Sequence, residues 1–313
     1  MLAATGLSIV FASGAATAQS RTVTDPVAVL KAKPGSDYFL ANYKQISEWL
    51  QKVSQESDRM KLVSIGKTAE GREQYMAIIS SPENIRNLDR YRGIAQQLAL
   101  AKGLTDDQAK ALADQGKAVV WIDAGLHATE VVNAQSHVQL IHEMLTRTDP
   151  ETMRILNDTI GLYVFANPDG LDLVADWYMR LADKAKRSTN TIPVLYQKYV
   201  GHDNNRDSYA SHQPETTNMN RAAYREWFPQ ILYNQHQTGP VARWCSSRPS
   251  AIRTISTTSR WSSTRRMPWV RRCMRGWWRR GRAGQSRDRA RPIRPGSTAA
   301  SARSAISTIK SAS

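Results

Sequence analysis

The chain has 313 residues, 41% of them hydrophobic, which admits one large domain or two small ones and excludes disorder throughout. Its formal charge of +16 is not spread evenly: residues 1–240 carry 25 Lys+Arg against 26 Asp+Glu, whereas 241–313 carry 18 basic residues against the single acid Asp288. Both cysteines, Cys245 and Cys273, also fall in that basic tail, which excludes a disulfide scaffold or a thiolate metal site from the first 240 residues.

In chain order, the apolar start ends in small residues at Ala16-Thr17-Ala18, the A-x-A form of a signal-peptidase site. Residues 1–18 are therefore expected to be a signal peptide and the product to be secreted or periplasmic. A basic n-region is missing, since no Lys or Arg precedes Arg21, so the true start is expected upstream. No other apolar run approaches the ~20 residues of a membrane-spanning helix, and no membrane association is expected.

Helical spacing of Phe39, Leu40, Ile46, Leu50 and Val53 predicts a helix from Asp37 to about Ser54. Runs at Lys61–Ile65 and Gln74–Ser80, separated by Ala69-Glu-Gly-Arg72, predict a hairpin. Asn84–Ala101 and Asp106–Ala113, the latter capped by Thr105, read as two helices of an insertion over 83–116. Buried strands are predicted at Ala118–Asp123, Ile160–Phe165 and Ile231–Gln235, with helices at Thr129–Leu145 and Thr217–Phe228. The fold class is thus α/β, a mixed sheet with helices on both faces, in which ligands sit at the carboxyl ends of strands.

The strand Ala118–Asp123 runs into His127 and, three residues on, Glu130, so an imidazole and a carboxylate can converge near the start of a helix. A second histidine from another strand end would complete three N/O ligands with one tetrahedral position open, as in a catalytic zinc site, and His236 follows the strand Ile231–Gln235. Taken alone, H-x-x-E suits a hydrogen-bonded core or surface histidine equally well. His137 and His142, five apart on one helix, read as a packed and a solvated residue. His202 and His212 fall in a polar loop with no second ligand type at coordinating spacing.

Two further features accompany this pattern and its strand-borne His236: Asn167-Pro168-Asp169-Gly170 after the second strand, and Asn205-Arg206 within Gly201-His-Asp-Asn-Asn-Arg-Asp207. In that order and context, residues Asp37 to Pro240 resemble the zinc metallocarboxypeptidases of the carboxypeptidase A type. The resemblance implies one zinc held by His127, Glu130 and His236, and a substrate consisting of a peptide or protein C-terminus. It further implies that Asn205 and Arg206 grip the terminal carboxylate, for which a planar guanidinium and a neighbouring amide are suited donors. A surface salt bridge from Arg206 to Asp203 or Asp207 is the plain alternative. An additional arginine polarises the scissile carbonyl in this family; Arg180 fits, Arg187 rivals it, and spacing does not decide. Asn167–Gly170 reads as a turn.

Departures from the family begin at one boundary. The general-base glutamate expected far beyond the last ligand is missing, since no glutamate follows Glu226, and no tyrosine follows Tyr233. Residues 241–313 hold 17 Arg, 14 Ser and five Trp, without Leu, Phe, Tyr, Asn, Glu or His. Such a segment cannot build an ordinary core and has the composition of GC-rich codons read out of frame. The C-terminal part of the fold is therefore expected to be missing or out of frame from Pro240–Arg243 onward, the tail disordered, and the chain inactive as written. A genuine Arg/Trp nucleic-acid-binding extension is the alternative, set aside because an exported peptidase meets no obvious nucleic acid. Two other readings of the whole chain are a zinc-dependent deacylase of small N-acyl amino acids and a non-catalytic zinc-binding remnant with a basic binding tail. A monomer is expected.

Overall fold

A computed structural model describes residues 22–196 and 202–237, which belong to one compact unit. The expected signal peptide, the basic tail, Asp288 and the frame boundary at Pro240–Arg243 lie outside the described residues.

The sheet has five strands: β1 (Met60–Lys67), β2 (Glu73–Ile79), β3 (Ala118–Ala124), β4 (Thr159–Phe165) and β5 (Ile231–Asn234). Their order is β1-β2-β4-β3-β5, with the first two pairings antiparallel and the last two parallel. The hairpin expected around Ala69–Arg72 forms directly. Parallel pairing of β3 with β4 needs a crossover, and α6 (Val131–Thr146) and α7 (Pro150–Asp158) supply it.

Strand β4 sits at the centre and all seven of its residues are buried. Its alternation divides the core in two. Ile160, Leu162 and Val164 meet Met76, Ile78, Trp121, Tyr91 and Ile94 on one face; Tyr163 and Phe165 meet Trp49, Leu50, Val138 and Ile141 on the other. Fully burying one such aliphatic side chain stabilises by about 1.5–3 kcal/mol, so both faces need helical cover. Helices α1 (Pro26–Leu30), α2 (Tyr43–Glu56), α6 and α8 (Pro168–Met179) cover one face. The other is covered by α4 (Leu88–Leu100) and by the segment after α9 (Pro214–Arg221).

Several boundaries differ from the sequence reading. Helix α2 starts at Tyr43 rather than Asp37, because Asn42 and Gln45 form a reciprocal capping box that fixes the first turn there. The single helix expected over Asn84–Ala101 is two, α3 (Pro82–Arg86) and α4, broken at Asn87. Within the region read as an insertion, α4 buries Tyr91 and Ile94, while α5 (Asp106–Gln115, capped by Thr105 as expected) buries none of its residues. The helix expected from Thr217 begins earlier, at Pro214, and widens to π geometry over Ala222–Trp227. Asn167–Gly170 is a helix start and not a free turn: the Asn167 side chain accepts from the Gly170 amide and caps α8. Helices α1, α7 and α8 were not foreseen.

Among the described residues, no helix is long and apolar enough to cross a membrane.

Candidate metal centre

Strands β3 and β5 are adjacent and parallel, so their carboxyl ends open at the same edge of the sheet. After Ala124 the chain turns through Gly125 at φ +73°, a left-handed value that a side chain would strain. The Leu126 carbonyl accepts from the Asn167 and Asn204 side-chain amides, which holds the turn from two sides. Glu130 then serves as N-cap of α6, with its amide donating to the His127 carbonyl at 2.9 Å. On the neighbouring strand, the Gln235 amide donates to the Asp123 carbonyl at 3.0 Å and extends the pairing to the doorstep of His236.

Three side chains converge there. His127 Nδ1 lies 2.8 Å from Glu130 Oε1, His236 Nδ1 lies 3.3 Å from Glu130 Oε2, and the two imidazole centroids are 4.8 Å apart. All three are half-buried. His127 Nε2 lies 2.9 Å from Asp203 Oδ1, and the Asn205 amide nitrogen lies 3.2 Å from His236 Nε2. Both Nε2 atoms thus have outer partners, which leaves both Nδ1 atoms facing one carboxylate.

The electrostatics fit a cation. The Glu130 carboxylate raises the His127 pKa against the opposing effect of partial burial, and Asp203 adds to the rise. Burial pushes Glu130 up, but hydrogen bonds from His127, His236 and the Gln237 amide outweigh it and bring its pKa down to about 2. The donor set, two imidazole nitrogens and a carboxylate, is one that zinc takes, and the separations of 2.8 and 3.3 Å approach the ~3.3 Å between ligands around a tetrahedral ion. Behind the centre, burial raises Asp123 to about 6, although Trp121 Nε1 and the Asn234 amide both donate to it.

The other sequence-selected residues are placed as follows. Asn205 is at the centre through His236. Arg206 is exposed, donates to the Asn205 carbonyl at 3.1 Å, and among the described residues forms no ion pair with Asp203 or Asp207. Arg180 stands at the end of α8 with its guanidinium 3.3 Å from the Trp177 ring centroid. It lines a cavity of about 400 Å³ together with Arg72 and Tyr196, and the Tyr196 ring lies 6.3 Å from that of His127. Arg187 is committed elsewhere, donating to the carbonyls of Leu181 and Tyr38 at 2.8 and 2.6 Å.

His137 is fully buried with no hydrogen-bond partner on either ring nitrogen, while His142 is half-buried against Trp49 rather than simply solvated. His202 and His212 do have a ligand type between them: both face Asp207, which the spacing argument overlooked. Sequence reasoning also missed Asp203, the outer partner of His127, although it stands two positions before Asn205 in a segment already singled out.

Fold and site together define a mixed α/β protein with a His/Glu/His group of metal-ligating type at adjacent strand ends. The zinc carboxypeptidase family model matches residues 46–272, which runs past the composition break at 240, and the chain belongs to that family. Among solved structures, it resembles thrombin activatable fibrinolysis inhibitor at 14% identity and TM-score 0.44, over 68% of this chain and 52% of that one. It resembles carboxypeptidase A from Helicoverpa armigera at 16% identity and TM-score 0.40, with the same two coverages of 68% and 52%. A metallo-carboxypeptidase from Burkholderia cenocepacia matches at 18% identity and TM-score 0.42, over 64% of this chain and 42% of that one. The chain therefore spans about half the length of these structures or less. Among curated protein sequences none matches.

Proposed function

We propose that this chain derives from an exported, zinc-dependent hydrolase that removes C-terminal residues from peptides, with one zinc held by His127, Glu130 and His236. The observation that carries the reading is the convergence of two imidazole Nδ1 atoms on the two oxygens of one carboxylate. His127, Glu130 and His236 would hold the zinc, which when bound would supply Lewis acidity and lower the pKa of water. Asp203 holds the His127 ring from behind and favours the tautomer with its proton on Nε2. Exposed, near Asp203 but in no close ion pair with it, Arg206 is available for a substrate carboxylate, and Asn205 lies next to it. Arg180 is the candidate for the carbonyl-polarising cation, on a cavity that it lines with the ion-paired Arg72 and that Tyr196 joins to the centre.

A second reading, a zinc-binding remnant without turnover, is favoured by one observation: within these 313 residues no glutamate follows Glu226, so they hold no glutamate base beyond His236. We accordingly infer a change of reading frame near Pro240–Arg243 and expect the chain as written to be inactive. A missing general base typically forfeits 10²–10⁴-fold in rate.

Zinc content of the purified chain tests the first reading. His127→Ala and His236→Ala should each abolish zinc retention, and unchanged content in both rejects the ligand set. Shifting the frame by one nucleotide at the codon for Val241 tests the second. Release of C-terminal residues by the repaired protein supports the frame inference, and turnover by the chain as written refutes it.

A further inference from the structure

The loop that braces the candidate centre carries another group of metal-ligating side chains. Asp203 and Asn205 reach His127 and His236, and four positions after Asp203 the chain places Asp207 between two histidines. His202 Nε2 lies 3.1 Å from Asp207 Oδ1, and His212 Nδ1 lies 3.8 Å from the same oxygen. The two rings stand 5.7 Å apart at 76°, each presenting a nitrogen toward that point. Around a tetrahedral ion with metal–ligand bonds of about 2.0–2.1 Å, ligand atoms lie about 3.3 Å apart, a value that the two separations bracket.

We propose that His202, Asp207 and His212 form a second metal site, for a divalent transition ion of the zinc type. Two nitrogen ligands and one oxygen favour such an ion over calcium or magnesium, which require many more oxygens.

The carboxylate is set in place before any ion arrives. Asp207 is 0% exposed; its Oδ2 accepts from the Gln213 amide at 2.9 Å, its Oδ1 accepts from the His212 amide at 3.1 Å, and Thr216 adds a side-chain donor. These donors fix the orientation of the carboxylate. A fixed anion with one oxygen turned to two imidazoles is pre-organised, so an ion has only the histidines to order. His212 is 66% exposed, which gives the site an open side for entry and for completing water ligands. The site shares no ligand with the candidate centre. It closes residues 202–212 into a ring, and an ion there would stiffen the segment that orients His127 through Asp203.

The test counts metal by difference. The purified full chain is stripped with chelator, titrated with zinc, and compared with H212N, H202N and the H127A/H236A double variant. One equivalent fewer in both H212N and H202N, with that equivalent retained in the double variant, is the expected result. The loss should exceed about 100-fold in affinity, since even an outer-shell partner is worth 10–100-fold. Calcium or magnesium in place of zinc should show no such difference. The same zinc count in the full chain and in H212N overturns the proposal, and so does a deficit confined to H202N. His212 is exposed, so its replacement leaves the fold intact, and failure of the His127/His236 centre alone would not alter the difference.

Discussion

Strands β4 and β5 lie two places apart in one parallel region of the sheet, with β3 between them, and their surroundings are opposite. Every residue of β4 is buried, whereas all four residues of β5 are half-exposed and pair only with β3 among the described residues. The candidate centre straddles this contrast. His127 and Glu130 come from the well-supported side, where Asn167 and Asn204 hold the turn; His236 comes from the edge. A strand with one neighbour and little apolar cover is held mostly by backbone hydrogen bonds, which contribute only about 1 kcal/mol each net. The placement of His236 at the candidate centre is therefore limited by the edge strand.

Hydrogen exchange would break or sharpen that contrast most directly. Amides of β4 should open only with global unfolding, and those of β5 by local fraying, with protection lower by ~10³-fold, equivalent to about 4 kcal/mol. Zinc should narrow the gap by tying His236 to Glu130; if added zinc leaves β5 exchange unchanged, His236 is not a ligand.

On the supported side, Asn167→Ala removes the cap of α8 and the brace on Leu126 together. A loss of about 2 kcal/mol in urea unfolding is expected, with weaker zinc retention. Gly170→Ala should act alike, because a Cβ there would lie 2.5 Å from Asn167 Nδ2. If both variants unfold like the parent chain, the turn does not depend on Asn167.

Acid offers the subtlest comparison, because the two sides respond with opposite signs. His137 packs against Tyr163 and Phe165 of β4, and burial lowers its pKa from 6.5 to about 3. The unfolded chain takes that proton first, so stability is full above pH 6.5 and falls as pH drops toward 3, by about 2 kcal/mol at pH 5. Asp123 lies beside β5, and burial raises its pKa from 3.8 to about 6. The folded chain takes that proton first, so its contribution is full below pH 3.8 and is lost as pH rises through 6; at pH 5 it amounts to about 1 kcal/mol. His137→Leu should accordingly flatten the acid limb of the stability curve, and Asp123→Asn should steepen it. Parallel curves for parent and variants would show that neither group carries the linkage.

The strands and the converging trio His127, Glu130 and His236 were legible because each has a short-range signature. A buried parallel strand is a continuous apolar run, as in Ile160–Phe165, and His127 with Glu130 sits directly after one. Helix α8 was illegible for a local reason: Asn-Pro-Asp-Gly has turn chemistry whether a turn or a helix follows, and Leu171, Val174 and Ala175 declare themselves only once packed. The α2 start was misplaced because Phe39 and Leu40 mimic the helical period outside the cap.

By itself, the sequence determined the α/β class, the composition break at 240, and which histidine could join His127 and Glu130, since all three follow from periodicity, composition and position after a strand. Only the tertiary structure decided that Asp203 stands behind His127, that Asn205 meets His236, that Arg187 is spent on the Leu181 and Tyr38 carbonyls, and that Asp207 draws His202 and His212 together. These are contacts made by loops, whose path is set by hydrogen bonds to distant carbonyls such as that of Leu126, and no local spacing encodes a partner 78 residues away.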